Sequence, residues 1–232
     1  MRTLFLVLAF FGLALATGQS RADSIYTLDY DSCSGGCGNN GQGSSNNSFG
    51  TITLSQLGSN QVSVTLQITA PGYIVNTGSG SNHAPFAFNA DKGITISNIA
   101  DTLGSPSTYF TAGATNASVS GLGTFGYEIA CTNSCSNGAS HGGEGAYLSF
   151  TVTANTGALG LDDFIANGAG FYFASDIIGP SGNTGEVAAN QAPTITTSGG
   201  GSPVPEPASL ALFGGGLMAM AGVRRRRITS RS

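Results

Sequence analysis

Residues 51–69 read TITLSQLGSNQVSVTLQIT, and this stretch decides the fold. Val62, Val64, Leu66 and Ile68 alternate with polar residues, which is the period of a β-strand with one buried face. Residues 51–57 form a second strand-like run, and the intervening residues 58–60, Gly-Ser-Asn, are typical of a turn. The stretch therefore predicts a β-hairpin packed on one side against a core.

Similar short runs of β-branched and aromatic residues follow along the chain, separated by Gly, Asn and Ser. No long stretch shows the 3.6-residue period of an amphipathic helix, although residues 159–167 suit one or two helical turns. About eight short strands at this spacing predict an all-β body over residues 23–190, folded as an antiparallel β-sandwich or a jelly-roll-like structure. The further predicted strands are residues 86–89, 94–99, 108–111, 124–131, 147–154 and 170–174.

Charge is scarce and unevenly distributed. Only 9% of the residues are charged, and between residues 23 and 203 eleven acidic residues face one basic residue, Lys92, for a net charge of −10. Nucleic acid and anionic lipid would repel such a body, so nucleic-acid binding is not expected. Divalent cations and neutral or cationic surfaces remain open as partners.

The N-terminal residues 1–22 have the three parts of a secretory signal peptide: Arg2, the apolar run 4–16, and a polar stretch that ends Ser20-Arg21-Ala22. We expect signal peptidase to cut after Ala22, with a cut after Ala16 as the alternative. The apolar run is shorter than the ~20 residues of a membrane-spanning helix, which disfavours a retained anchor.

The C-terminal end contains three segments in a fixed order. A Thr/Ser/Gly/Pro-rich stretch, residues 191–203, is predicted to be a linker, and residues 208–223 are apolar enough for a single transmembrane helix of about 24 Å. The arginine cluster 224–227 would hold the end of the chain in the cytoplasm as a stop-transfer signal. Between linker and helix lies an extended, protease-accessible motif. The motif is Val204, Pro205, Glu206 and Pro207, and the stop-transfer residues are Arg224, Arg225, Arg226 and Arg227.

This order of motif, apolar helix and arginines over residues 204–228 resembles the PEP-CTERM sorting signal, a tail also catalogued as the C-terminal domain of ice-binding proteins. The resemblance implies an exosortase substrate in a Gram-negative bacterium that makes exopolysaccharide. The precursor would be anchored in the inner membrane, cut there by the exosortase, and passed to the cell surface or extracellular matrix.

Four cysteines form two pairs of equal spacing, Cys33 with Cys37 and Cys131 with Cys135. In an exported chain an even number of cysteines indicates disulfides, and the spacing favours two local bridges over the two long-range connectivities. A four-cysteine zinc site is the alternative.

No catalytic signature stands out. His83 and His141, the latter near Glu144, are interpreted as loop residues, and the Gly-x-Ser-x-Gly elbow of serine hydrolases is absent. The adjacent acids Asp162 and Asp163 are not expected to form a hydrolytic pair. Asp29 and Asp31 would share one strand face and suit either a Ca²⁺ site or a solvated edge.

The sequence thus predicts a non-enzymatic surface or matrix protein associated with exopolysaccharide and biofilm, without cofactor, metal or catalytic residues. Two alternatives remain open: a secreted glycan- or Ca²⁺-binding module and a secreted hydrolase that acts on polysaccharide. Trp is absent, so Tyr26, Tyr30, Tyr73 and Tyr109 are the candidates for stacking on sugars.

Overall fold

A computed structural model describes residues 21–69, 71–75, 84–102, 105–107, 109–132 and 145–198. Within these residues the chain forms fourteen strands and a 3-10 turn, Leu161–Asp163. The strands are β1 (Arg21–Leu28), β2 (Tyr30–Asp31), β3 (Gly50–Gly58), β4 (Gln61–Ile68), β5 (Tyr73–Ile74), β6 (Phe86–Phe88), β7 (Ile94–Thr102), β8 (Ser105–Pro106), β9 (Phe110–Val119), β10 (Gly123–Cys131), β11 (Tyr147–Ala154), β12 (Phe173–Ile178), β13 (Thr184–Ala189) and β14 (Thr194–Ser198).

The strands form two seven-stranded sheets. The first has the order β14-β1-β3-β4-β11-β7-β8, and the second has the order β2-β13-β12-β6-β10-β9 with β5 added beside β12. Every pairing among these strands is antiparallel. The predicted all-β class is confirmed.

A shared core joins the two sheets. Val62, Val64, Leu66 and Ile68 of β4 are buried while their neighbours are less so, as the alternation predicts. From the second sheet, Phe86 and Phe88 pack against Phe150 of the first sheet, with ring centroids 5.7 and 5.5 Å apart. Such aromatic pairs stabilise the contact between the two sheets beyond the effect of burying apolar area.

The predicted hairpin is present as β3 and β4, with Thr53 opposite Thr65. The predicted helical turns at residues 159–167 reduce to the single 3-10 turn. Two predicted strands are displaced: residues 108–111 contain only the start of β9, which continues to Val119, and residues 170–174 contain only the start of β12, which continues to Ile178.

The compact unit extends further at its C-terminal side than the predicted body, which ended at residue 190. Residues 194–198 form β14, which pairs with β1, so the compact unit extends to Ser198 and not to residue 190. β14 continues the first sheet because its TITTS sequence has high β-propensity and β1 offers an unpaired edge.

The register of β1 and β14 brings both ends of the compact unit together. Arg21 is opposite Ser198 and Ala22 is opposite Thr197. A cut after Ala22, which stays a prediction, would remove the first two residues of β1.

In the part of the chain that the structure describes, we find no helix with the length and apolar character needed to span a membrane. The predicted signal peptide before Arg21 and the predicted transmembrane helix 208–223 lie outside the described residues.

Candidate functional site

A cleft of about 410 Å³ opens at the β1–β14 edge of the first sheet. Ser24 and Tyr26 of β1 form part of its wall, Phe164 and Tyr172 form another part, and Ile195 of β14 borders it. The volume falls within the usual range of small-ligand sites. β1 positions both of its residues because alternate side chains of a strand point to the same face.

Tyr26 is a closely packed side chain of the cleft. It is only 2% exposed, and its ring packs edge-on against Phe173 at 4.7 Å and in a tilted arrangement against Tyr172 at 5.2 Å. Burial, together with the nearby Tyr172, raises the pKa of Tyr26 to about 12. The hydroxyl therefore stays protonated at neutral pH and can donate a hydrogen bond.

The predicted sugar-stacking tyrosines are only partly available. The rings of Tyr26 and Tyr30 pack inside the body, the latter against Phe171 at 4.9 Å, so neither offers an open face. Tyr73 and Tyr109 are 42% and 38% exposed but do not line the cleft. The half-buried Tyr172, which sequence reasoning did not single out, lines the cleft in their place.

The 3-10 turn is held beside the cleft by an ion pair. Lys92 Nζ lies 2.6 Å from Asp163 Oδ2, and the same oxygen accepts the backbone N–H of Gly160 at 2.7 Å. Desolvation opposes ionisation of Asp163, but the Lys92 hydrogen bond and charge and the Gly160 N–H outweigh it, so its pKa is lowered. The hydrogen bond to Asp163 likewise raises the pKa of Lys92. Asp162 is exposed and lines the cleft, so these adjacent acids have different environments.

The first cysteine pair forms the predicted local disulfide, Cys33–Cys37, and both residues are buried. Asp31 organises this loop: its Oδ1 accepts the N–H groups of Cys33 at 3.0 Å and Cys37 at 3.2 Å, and its Oδ2 accepts that of Gly38 at 2.9 Å. Cys131 is also disulfide-bonded, whereas Cys135 lies outside the described residues. The second predicted pairing therefore stays a prediction.

These contacts give no support to the calcium hypothesis for Asp29 and Asp31. Asp29 lies between β1 and β2, so the two acids do not occupy one continuous strand. Backbone donors already occupy both oxygens of Asp31. The Asp31, Cys33 and Cys37 side chains have the proximity of a metal-ligand set, but the two sulfurs are joined to each other and are unavailable as thiolates.

Burial also changes the pKa of Asp29, whose exposed fraction is 9%. Desolvation raises the pKa of this carboxyl, although backbone N–H donors, including that of Asn190, partly oppose the effect. Asp29 is thus a buried structural acid and not part of a solvated edge.

Sequence reasoning missed two further buried acids, Asp176 and Glu186. They are opposite each other on β12 and β13, and their exposed fractions are 0% and 2%. The signal was present, since each interrupts a strand otherwise made of apolar and small residues. A pair of buried acids alone does not define a ligand.

Several predicted site residues lie outside the described residues. They are His83, His141, Glu144, the motif residues Val204, Pro205, Glu206 and Pro207, and the arginines Arg224, Arg225, Arg226 and Arg227.

Comparison with known protein families identifies a motif in the C-terminal segment. The model of the PEP-CTERM protein-sorting motif matches residues 203–227. The chain carries this sorting motif. The match coincides with the predicted Pro-rich motif, apolar stretch and arginines, and it indicates an exported protein whose membrane-anchored precursor an exosortase sorts to the cell surface.

The match covers the tail and not the two-sheet body. No curated protein and no solved structure matches the chain.

Proposed function

We propose that the chain is a non-enzymatic protein of the cell surface or extracellular matrix of a Gram-negative bacterium, associated with exopolysaccharide in biofilms. Signal peptidase removes the N-terminal segment after Ala22, and an exosortase cuts at the Pro-rich motif. The single observation that carries the proposal is the sorting motif at residues 203–227.

The body supports a binding role better than a hydrolytic one. Glycoside hydrolysis usually needs two carboxyl groups about 5–10 Å apart across the scissile bond. Among the described residues that line the cleft, Asp162 alone carries a carboxylate. Its neighbour Asp163 is engaged with Lys92 and Gly160.

Glycan binding is the second candidate function because the cleft favours it. The cleft combines hydroxyl groups with aromatic and aliphatic walls, a combination that fits a sugar. Calcium binding gains no such support, since backbone N–H groups occupy the Asp31 carboxylate.

The proposal is tested by fractionation of cells that export the full chain. Antibodies to the body should find the processed protein in the matrix fraction of a strain that makes exopolysaccharide, and in the medium when polysaccharide synthesis is deleted. The control is a chain truncated before Pro203, which should not reach the matrix. Equal recovery from both strains would contradict an association with exopolysaccharide.

Enzymatic activity is tested separately on the purified protein. Incubation with the isolated matrix polysaccharide should release no new reducing ends. Release that is lost in an Asp162→Asn variant would replace the binding role with a hydrolase.

A further inference from the structure

The β1–β14 cleft contains two hydroxyl groups whose hydrogen-bonding capacity the protein does not use. Ser24 and Tyr26 are each only 2% exposed, and both line the cleft. Among the described residues neither hydroxyl has a hydrogen-bond partner, and neither oxygen is sealed from solvent, so both can be reached from the cleft. Two unpaired hydroxyls that face one cleft from the same strand are the kind of polar groups that orient a bound ligand.

The remaining walls restrict the ligand to one with apolar surface. Phe164 is almost fully buried beneath the cleft, while Tyr172 and Ile195 form more accessible parts of its wall. A sugar ring presents C–H groups on its faces and hydroxyls on its edge. It can therefore contact these walls while it bonds to Ser24 and Tyr26.

Charge disfavours an anionic ligand at the cleft. The described lining contains no basic side chain and has Asp162 at its surface. The segment from residue 23 to residue 203 has eleven acids and one lysine, and Lys92 is paired with Asp163. An anionic polysaccharide would be repelled by this body.

We propose that the β1–β14 cleft binds a short segment of neutral glycan, with the Ser24 and Tyr26 hydroxyls bonded to sugar hydroxyls and the sugar face against Tyr172 and Ile195. This inference deepens the proposed function, on which it rests, by naming the site and the class of polysaccharide. The predicted cut after Ala22 removes one small wall residue and leaves both hydroxyls in place.

The test uses the full chain purified in detergent and titrated calorimetrically with neutral hexasaccharides of glucose, galactose, mannose and N-acetylglucosamine. At least one should bind. Tyr26→Phe, which keeps the ring, and Ser24→Ala should each weaken binding about fivefold, the effect of one lost hydrogen bond. Tyr73→Phe is the matched control because Tyr73 is exposed and outside the cleft, and it should leave the affinity unchanged. Thermal melting establishes that each variant is folded.

Three outcomes would overturn the inference: no neutral hexasaccharide binds, binding is unaffected by both cleft variants, or a hexagalacturonate or an apolar peptide competes better than the sugars. Matrix retention of the same variants separates this failure from failure of the proposed function. Retention that does not depend on Ser24 or Tyr26 contradicts the cleft assignment alone. Sugar binding by a protein that is absent from the matrix contradicts the proposed function alone.

Discussion

Lys92 is the single basic residue between residues 23 and 203. It lies in the loop that precedes β7, and its ion pair with Asp163 connects this loop to the 3-10 turn beside the cleft. Besides Asp163, it donates to the Ala158 carbonyl at 3.1 Å. The Asp163 carboxylate also accepts a hydrogen bond from the backbone N–H of Gly160. One ion pair therefore holds the segment that carries Asp162 and Phe164 to the cleft wall.

The lowered pKa of Asp163 predicts how this contact depends on pH. Its folded pKa lies below the unfolded value of about 3.9, so the stabilisation is complete above that value and is lost as pH falls through the folded pKa. Asp163→Asn should lower the Tm at pH 7 by about 1–3 °C, because Lys92 is partly exposed and such pairs contribute little. The difference from the wild type should shrink below pH 4.

Calorimetric melts from pH 2 to pH 7 check this expectation. Asp162→Asn is the matched control, because Asp162 is the exposed neighbour, and it should change the Tm less at every pH. An Asp163→Asn deficit that persists unchanged at pH 2 would show that the effect is not that of the ionised carboxylate.

At this scale the sequence identified acidic residues but not their environments. Asp29 and Asp31 were predicted as a pair, yet the structure gives Asp31 three backbone donors and leaves Asp29 with a raised pKa. Asp162 and Asp163 are adjacent in the sequence, yet Asp162 is exposed and Asp163 is buried. These outcomes depend on groups brought close by the fold, such as Lys92, which is 71 residues from Asp163.

Among the elements, β13 is closely constrained because it packs directly against the disulfide loop. Gly185 on β13 is opposite Ile177 and has φ +150°. A Cβ placed there would lie 2.9 Å from Cys33 Cα and 3.2 Å from Cys33 Sγ. The strand therefore needs glycine for the close approach and for its backbone conformation.

Gly185→Ala should destabilise the body by about 1–3 kcal/mol through backbone strain and steric overlap, which corresponds to a Tm lower by about 3–10 °C. Gly58→Ala is the control, since nothing lies within 4 Å of a Cβ at that position, and it should cause no loss. Thermal melts of the full chain in detergent measure both. Equal Tm values for the two variants would contradict the tight contact between β13 and the disulfide loop.

Elements were predicted well where a local pattern was sufficient. β4 and β11 have the predicted bounds to within a residue because apolar residues alternate or cluster clearly in both. β13 was missed because TGEVAA combines Gly, Glu and Ala, which are weak strand formers, in a buried strand. β14 was interpreted as a linker because its strand character depends on the β1 edge, which is about 170 residues earlier in the chain.

At the scale of the whole molecule, β14 is the last strand of the body before the sorting tail. The strand ends at Ser198, opposite Arg21, and the sorting motif begins at residue 203. Pairing with β1 gives the compact unit a hydrogen-bonded end immediately before the processed segment. The sequence predicted the tail because its three signals are contiguous and need no tertiary contact, whereas the ligand of the body depends on a cleft assembled from distant segments.

The tail predicts two different failures when its parts are altered separately. Replacing Arg224, Arg225, Arg226 and Arg227 with Ser removes the predicted stop-transfer charge. A helix over residues 208–223 would span only about 24 Å, slightly short of the ~30 Å hydrocarbon core. A share of this variant should pass unprocessed into the periplasm. Replacing Pro205, Glu206 and Pro207 with Ala keeps the anchor but changes the recognised peptide, so the uncut precursor should accumulate in the inner membrane.

Fractionation and immunoblotting with an antibody to the body and a tag placed after Ser232 distinguish the two variants. In the wild type the body should reach the surface without the tag, since exosortase processing removes the arginines together with the C-terminus. The alanine variant should keep body and tag together in the inner membrane, and the serine variant should keep them together in the periplasm. A wild-type protein that retains its tag at the surface at steady state would mean that the motif does not direct cleavage and that residues 208–223 act as a permanent anchor, because only an uncut chain connects the two epitopes.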